Sequence, residues 1–121
     1  MNPLKYLRLA AEVSRIKDDS RTYFIGAVGI RRDGVLVCAA NGCPKFPEPK
    51  HHAEVRLLRK LGKGGIVFVC RTLADGRWSN AKPCTSCRIS LVNHGVRAVY
   101  WSEKSGAVGS ASNAGWLRDI Q

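Results

Sequence analysis

His52-Ala53-Glu54, followed downstream by Pro83-Cys84-Thr85-Ser86-Cys87, constrains this chain more than any other feature. A histidine and two cysteines can hold one zinc ion through three protein ligands and leave its fourth position to water. If a single ion takes ligands from both segments, the chain between them has to bring them together. Structural zinc sites are usually closed by four protein ligands, whereas an open position beside a carboxylate suits catalysis. Glu54 is the carboxylate that would move protons to and from that water. No second C-x-x-C occurs, so a closed four-cysteine site lacks its ligands. Cys43, after Gly42 in the loop ahead of the histidine, would make the site structural if it served as a fourth ligand; the open site is the expectation.

The 121 residues fit one domain, 1–121, with a tail over about 105–121. A hydrophobic content of 45% supports a real core, and no apolar run is long enough to span a membrane. Met1 to Arg8 has an amphipathic rhythm rather than a continuous apolar stretch, which argues against a signal peptide and for the cytoplasm. The five cysteines are an odd set at low density, so the Cys84/Cys87 pair reads as metal-binding rather than disulfide-forming. Cys38 and Cys70 lie in apolar, strand-like runs and are expected to be buried thiols. The formal charge of +11 attracts phosphate-bearing partners and so favours a phosphorylated substrate over a free nucleoside.

Leu4, Leu7, Ala10, Ala11, Val13 and Ile16 recur at helical steps, predicting an amphipathic helix over 3–17. Phe24–Ile30 reads as a strand, Asp33-Gly34 as a hairpin turn, and Val35–Ala40 as the returning strand. Asn41–Lys50 is a proline-stiffened loop. A second helix opens at His51 or His52 and stops at Gly62, with Arg59 and Lys60 complementing its dipole. Ile66–Cys70 is too continuously apolar for an edge strand and belongs at the sheet centre. Arg71–Lys82 reads as a polar loop, Cys84–His94 as a helix stopped by Gly95, and Val96–Trp101 as the fourth strand. Ser105–Ser112 is small and flexible in composition, and Asn113 is expected to cap a last helix through Trp116, Leu117 and Ile120. Helices between strands imply parallel neighbours and a sheet covered by helices.

Cys84 and Cys87, three apart at a helix start, place both thiols on one face, where the dipole favours thiolates. Two thiolates and a neutral histidine cancel the charge of Zn2+, so the bound water is acidified less than among histidines alone and a nearby base gains importance. Positions two apart on an ideal helix do not share a face. His52 and Glu54 therefore converge only if the histidine sits at the cap or the first turn opens; the cap is the expectation.

H-x-E followed by P-C-x-x-C is the signature of zinc nucleobase deaminases. Over roughly Phe24 to Ser102 the chain resembles the cytidine/deoxycytidylate deaminase superfamily. The resemblance implies an α/β, three-layer α-β-α fold with a mixed sheet of four to five strands flanked by helices. It also implies His52, Cys84 and Cys87 as zinc ligands and Glu54 as proton shuttle. By the same resemblance Asn41 contacts the substrate's sugar or base, and the Ala53 N–H faces the pyrimidine carbonyl. Two departures stand out: about ten residues, with Arg71, Arg77, Trp78 and Lys82 among them, separate the third strand from the Pro-Cys motif. The sequence also shows four clear strands where the family usually has five, which suggests a homo-oligomer protecting an exposed sheet edge.

Three functions compete. The leading expectation is hydrolytic conversion of cytosine to uracil in a small nucleotide or nucleoside, with ammonia released. An alternative is cytosine within single-stranded DNA or RNA. The charge, Trp78 among basic residues, and Trp101 at a strand end suit that substrate, since stacking on an aromatic is worth ~1–3 kcal/mol per base. The third is a non-catalytic, zinc-stabilised nucleic-acid-binding module, which has no use for Glu54. Arg88, directly after Cys87, is expected near the pocket mouth as a further substrate contact.

Overall fold

The computed structural model describes residues 2–14, 23–40, 52–113 and 115. Its elements are α1 (Pro3–Ser14), β1 (Tyr23–Ile30), β2 (Leu36–Ala40), α2 (Ala53–Leu61), β3 (Ile66–Leu73), β4 (Trp78–Ser79), α3 (Thr85–His94), β5 (Ala98–Ser102) and β6 (Val108–Ser112). The strands form one mixed sheet in the order β2-β1-β3-β5-β6, with the short β4 hydrogen-bonded to β3. All pairs are antiparallel except β3 with β5, which are parallel and joined through α3.

Alternation along β3 explains the three layers. Val67 and Val69 face α2 and α3, packing with Leu57, Leu61, Leu91, Val99 and Trp101. Phe68 and Cys70 face the other way, with Leu7, Ala10 and Val13 of α1. A strand covered on both sides has no polar face to show, and β3 is therefore continuously apolar over Ile66–Cys70 and central. Tyr6, Phe68 and Tyr100 stack on the α1 side, at centroid separations of 4.8 and 5.3 Å. Gly26 lets α1 approach β1 closely, since a Cβ there would collide with the Ala10 carbonyl oxygen.

The hairpin turn is as expected: Gly34 has φ +89° and donates to the Arg31 carbonyl. Three features of the sequence reading are corrected. Ser105–Ser112 is not simply flexible; Val108–Ser112 is strand β6, antiparallel to β5. The supposed loop after β3 is partly a hairpin, with β3 running on to Leu73 and β4 returning against Arg71 and Thr72. Cys38 is exposed rather than buried, because β2 is at the sheet edge. Residues 15–17 of the expected first helix, the loop with Asn41 and Cys43, His51, and the expected last helix beyond Asn113 lie outside the described residues, save Gly115.

Cys70 is fully buried. Burial pushes its thiol up to about 11 from an ordinary 9.0, opposed by a hydrogen bond with Ser102. A thiol raised in the fold stays neutral there after the unfolded chain's thiol has ionised, so its contribution is complete below the unfolded value. Stability should be lost as pH rises from about 9 to about 11, by roughly 2–3 kcal/mol. Urea titrations across that window should show wild type losing more stability than Cys70→Ala by this amount; parallel losses would refute it.

Candidate active site

The two metal-motif segments meet because α2 and α3 begin side by side. His52 is the N-cap of α2, at φ −67° and ψ 144°, and its carbonyl accepts the Arg56 N–H. Cys84 is the N-cap of α3, at φ −65° and ψ 167°, and its carbonyl accepts the Arg88 N–H. N-caps are usually residues whose side chains bond the first-turn amides. Neither side chain makes such a bond here, which leaves the imidazole and the thiol to point elsewhere. The extended backbone at His52 also lets its ring converge with Glu54, which a helical i, i+2 pair cannot do.

His52, Cys84 and Cys87 bring their ligand atoms within 4.8 Å of one another. His52 Nδ1 lies 3.0 Å from Cys87 Sγ, and the Cys87 thiol donates to Glu54 Oε1 at 3.2 Å. His52 Nδ1 and Glu54 Oε1 are 3.8 Å apart. Burial is graded, with Cys87 and Glu54 inside, His52 half-buried and Cys84 exposed. One imidazole and two thiols at this separation are a donor set that fits Zn2+.

Burial raises the Glu54 carboxyl above its usual range, against lowering by the Cys87 thiol and the charge of His52. Burial also raises the Cys87 thiol, and the nearby Glu54 charge raises it further. A coordinated dication inverts that logic, since a coordinating thiol is deprotonated outright. The thiolates also lie at the positive end of α3.

Ser102 anchors the segment that delivers Cys84, and nothing in its local sequence marks it for that task. It is fully buried, its hydroxyl accepting the Arg71 N–H at 3.0 Å and donating to the Ser79 carbonyl at 2.8 Å. Its own carbonyl accepts the Ala81 N–H at 2.9 Å. The Asn80 side chain then takes the Lys82 N–H at 2.8 Å, just before Pro83.

The other site candidates are placed less uniformly. Ala53 is buried at the first position of α2. Arg88 is half-buried on α3, and its Nε has no hydrogen-bond partner among the described residues. Trp101 is 5% exposed within the core, its indole N–H bonded to Glu103, with Lys82 Nζ 6.0 Å above its ring. Trp78 packs against the α1-side core. Asn41 lies outside the described residues.

The fold and this group define a zinc-binding deaminase class. Residues 2–103 match the family described as the cytidine and deoxycytidylate deaminase zinc-binding region, and the chain belongs to that family. Among solved structures, the cytidine deaminase from Burkholderia pseudomallei aligns over 98% of both chains, with a TM-score of 0.72 and 17% identity. That from Mycobacterium leprae aligns over 94% of this chain and 95% of its own, with a TM-score of 0.63 and 19% identity. No curated protein matches by sequence.

Ser102→Ala removes the hydroxyl's bonds to the Arg71 N–H and the Ser79 carbonyl from a fully buried position, for an expected loss of roughly 1–3 kcal/mol. The urea midpoint should fall at unchanged slope. An unchanged midpoint would show that the hydroxyl does not hold the segment.

Proposed function

We propose that the chain is a zinc-dependent hydrolytic deaminase converting cytosine to uracil in a small nucleotide or nucleoside, with release of ammonia. The observation that carries this reading is the buried Glu54 carboxylate, with Oε1 3.2 Å from Cys87 Sγ beside the three-residue donor group. A structural zinc site needs no such carboxylate, and a base must stand within hydrogen-bond reach of the proton it moves.

His52, Cys84 and Cys87 would hold the ion. When bound, Zn2+ supplies a Lewis acid and an acidified water. Glu54 takes up that water's proton as the oxygen bonds to the ring carbon carrying the amino group. Glu54 would pass that proton to the ring nitrogen and then carry the second proton from the same oxygen to the departing amine, so that water and the aminated base become the oxo base and ammonia. A carboxylate whose affinity for protons is raised by burial takes one up more readily than an exposed one, which suits the first half of this cycle. The Ala53 N–H, Asn41 and Arg88 are the proposed substrate contacts.

Cytosine within single-stranded DNA or RNA is the second reading, favoured by the +11 charge. The tryptophans give it little support, since Trp101 is 5% exposed and Trp78 is packed against the core. The smaller substrate is preferred on that ground.

Glu54→Ala should retain zinc by metal analysis and lose turnover by at least about 100-fold, the usual scale of a proton-transfer residue. Full activity in that variant would end the mechanism. Cys84→Ala should lose zinc and stability together, since metal binding couples to folding; full zinc occupancy would overturn the ligand assignment. An equimolar mixture of cytidine, deoxycytidine, deoxycytidylate and a cytosine-bearing oligonucleotide, followed by mass spectrometry, tests the substrate. Conversion of monomeric species alone is expected, and conversion of the oligonucleotide alone would overturn it.

A further inference from the structure

Arg32, Arg59, Lys60, Lys63 and Arg97, five of the chain's twenty Lys and Arg, lie at the end of α2 and α3 away from the metal-ligand group. The α2–β3 and α3–β5 turns meet there through backbone contacts, and the Arg32 side chain of the β1–β2 turn lies beside Gly64. Gly64 N–H donates to the Gly95 carbonyl at 3.0 Å, and Arg97 N–H to the Gly65 carbonyl at 2.8 Å. The glycines serve as platforms: a Cβ on Gly64 would lie 3.3 Å from Arg32 Cδ, and one on Gly95 would lie 3.7 Å from Lys63 Cβ and Cγ. The stems of Arg32 and Lys63 therefore rest across two neighbouring turns, with Arg97 beside them. All three residues are exposed. Arg59 and Lys60 in the last turn of α2 extend the face, the Lys60 ammonium reaching the Cys38 carbonyl at 2.8 Å.

No carboxylate among the described residues pairs with Arg32, Lys63 or Arg97. Asp33, the acid in the β1–β2 turn, is held by Arg31 at 3.3 Å, and Asp75 by Arg77 at 2.6 Å. Complementing helix dipoles does not account for the face. Each helix C-terminus offers roughly half a negative charge, about one for α2 and α3 together. Against that stand Arg32, Arg59, Lys60, Lys63 and Arg97, three of which (Arg32, Lys63 and Arg97) lie in turns outside the helices.

We propose that this face, built on Arg32, Lys63 and Arg97, docks the phosphate backbone of a nucleic acid, separately from the deaminase site. Its two guanidinium groups present donor forks that match phosphate oxygens, and its charge acts without reading sequence. A lipid surface fits less well, because membrane-surface binding wants apolar side chains on one face. The exposed Val35 and Leu36 nearby are consecutive residues, Val35 just before β2 and Leu36 its first residue, and two side chains do not make an apolar face.

Fluorescence anisotropy with a labelled oligothymidylate tests this without any aminated base, so its outcome does not depend on deaminase turnover. Wild type should bind in a salt-sensitive manner. R32A/K63A/R97A should weaken binding at least about tenfold and flatten the plot of log affinity against log salt by roughly 2. K5A/R8A/K104A removes equal charge elsewhere and should change both much less. Circular dichroism and zinc content check that each variant is folded. Equal losses in the two variants would show that net charge acts rather than this face, and would overturn the proposal. So would undiminished binding by R32A/K63A/R97A, no binding by wild type, or capture by phosphatidylserine vesicles with none by the oligonucleotide.

Discussion

The convergence of two helix N-termini is the constraint on which the rest of the structure depends. A crossover from β3 through α3 to the parallel β5 starts its helix at the end of the sheet where α2 also begins. Those starts place His52 and Cys84 at N-caps and Cys87 one turn further in. Packing then fixes the distance between the helices. Leu57 and Leu61 of α2 and Leu91 of α3 share one cluster with Val67, Val69 and Val99, so neither helix can slide without opening the core. The metal site is thus assembled by the same apolar contacts that hold the layers together.

Glu54 shows what the fold gives up for chemistry. An isolated carboxylate is costly to bury, by several kcal/mol even after relaxation. Its place in the first turn of α2 offsets about 0.3–1 kcal/mol through the dipole, too little to explain its burial. Its contacts within the site are the Cys87 thiol and His52, both members of the donor group. Among the described residues, the polar side chains it meets are those of that group, so its burial is not explained by an ion pair elsewhere in the fold. The proton-handling role proposed for it accounts for that burial, and a dication held by the group would offset the cost of ionising it.

The parts of this molecule legible in the sequence were those set by local chemistry. The Asp33-Gly34 turn, the stops at Gly62 and Gly95 and the central position of β3 follow from neighbouring residues. The ligand segments were legible because few side-chain combinations suit an open zinc site. Strand β6 was not, since its Val-Gly-Ser-Ala-Ser run has little strand propensity of its own and is ordered by pairing with β5, a tertiary effect. Cys38 misled for a related reason: an apolar run is compatible with either burial pattern, and only the edge position of β2 exposes that thiol. Ser102 was invisible because its role lies in partners at Arg71 and Ser79, far away in the chain.

Charge is the property whose meaning changed most between sequence and structure. A total of +11 says nothing about location, and it invites the assumption that the field is focused on the reaction centre. The fold instead puts α2 and α3, of 9 and 10 residues, between the metal-ligand group and the basic turns. At 1.5 Å per residue those helices separate the two ends by about 13–15 Å. That exceeds the Debye length of about 8 Å at physiological ionic strength, so exposed charges at one end are largely screened from the other. The basic turns are too remote to set the protonation of Glu54 or to hold a mononucleotide's phosphate at the site. Their charge can therefore vary with the demands of the proposed second partner without disturbing the group of His52, Glu54, Cys84 and Cys87.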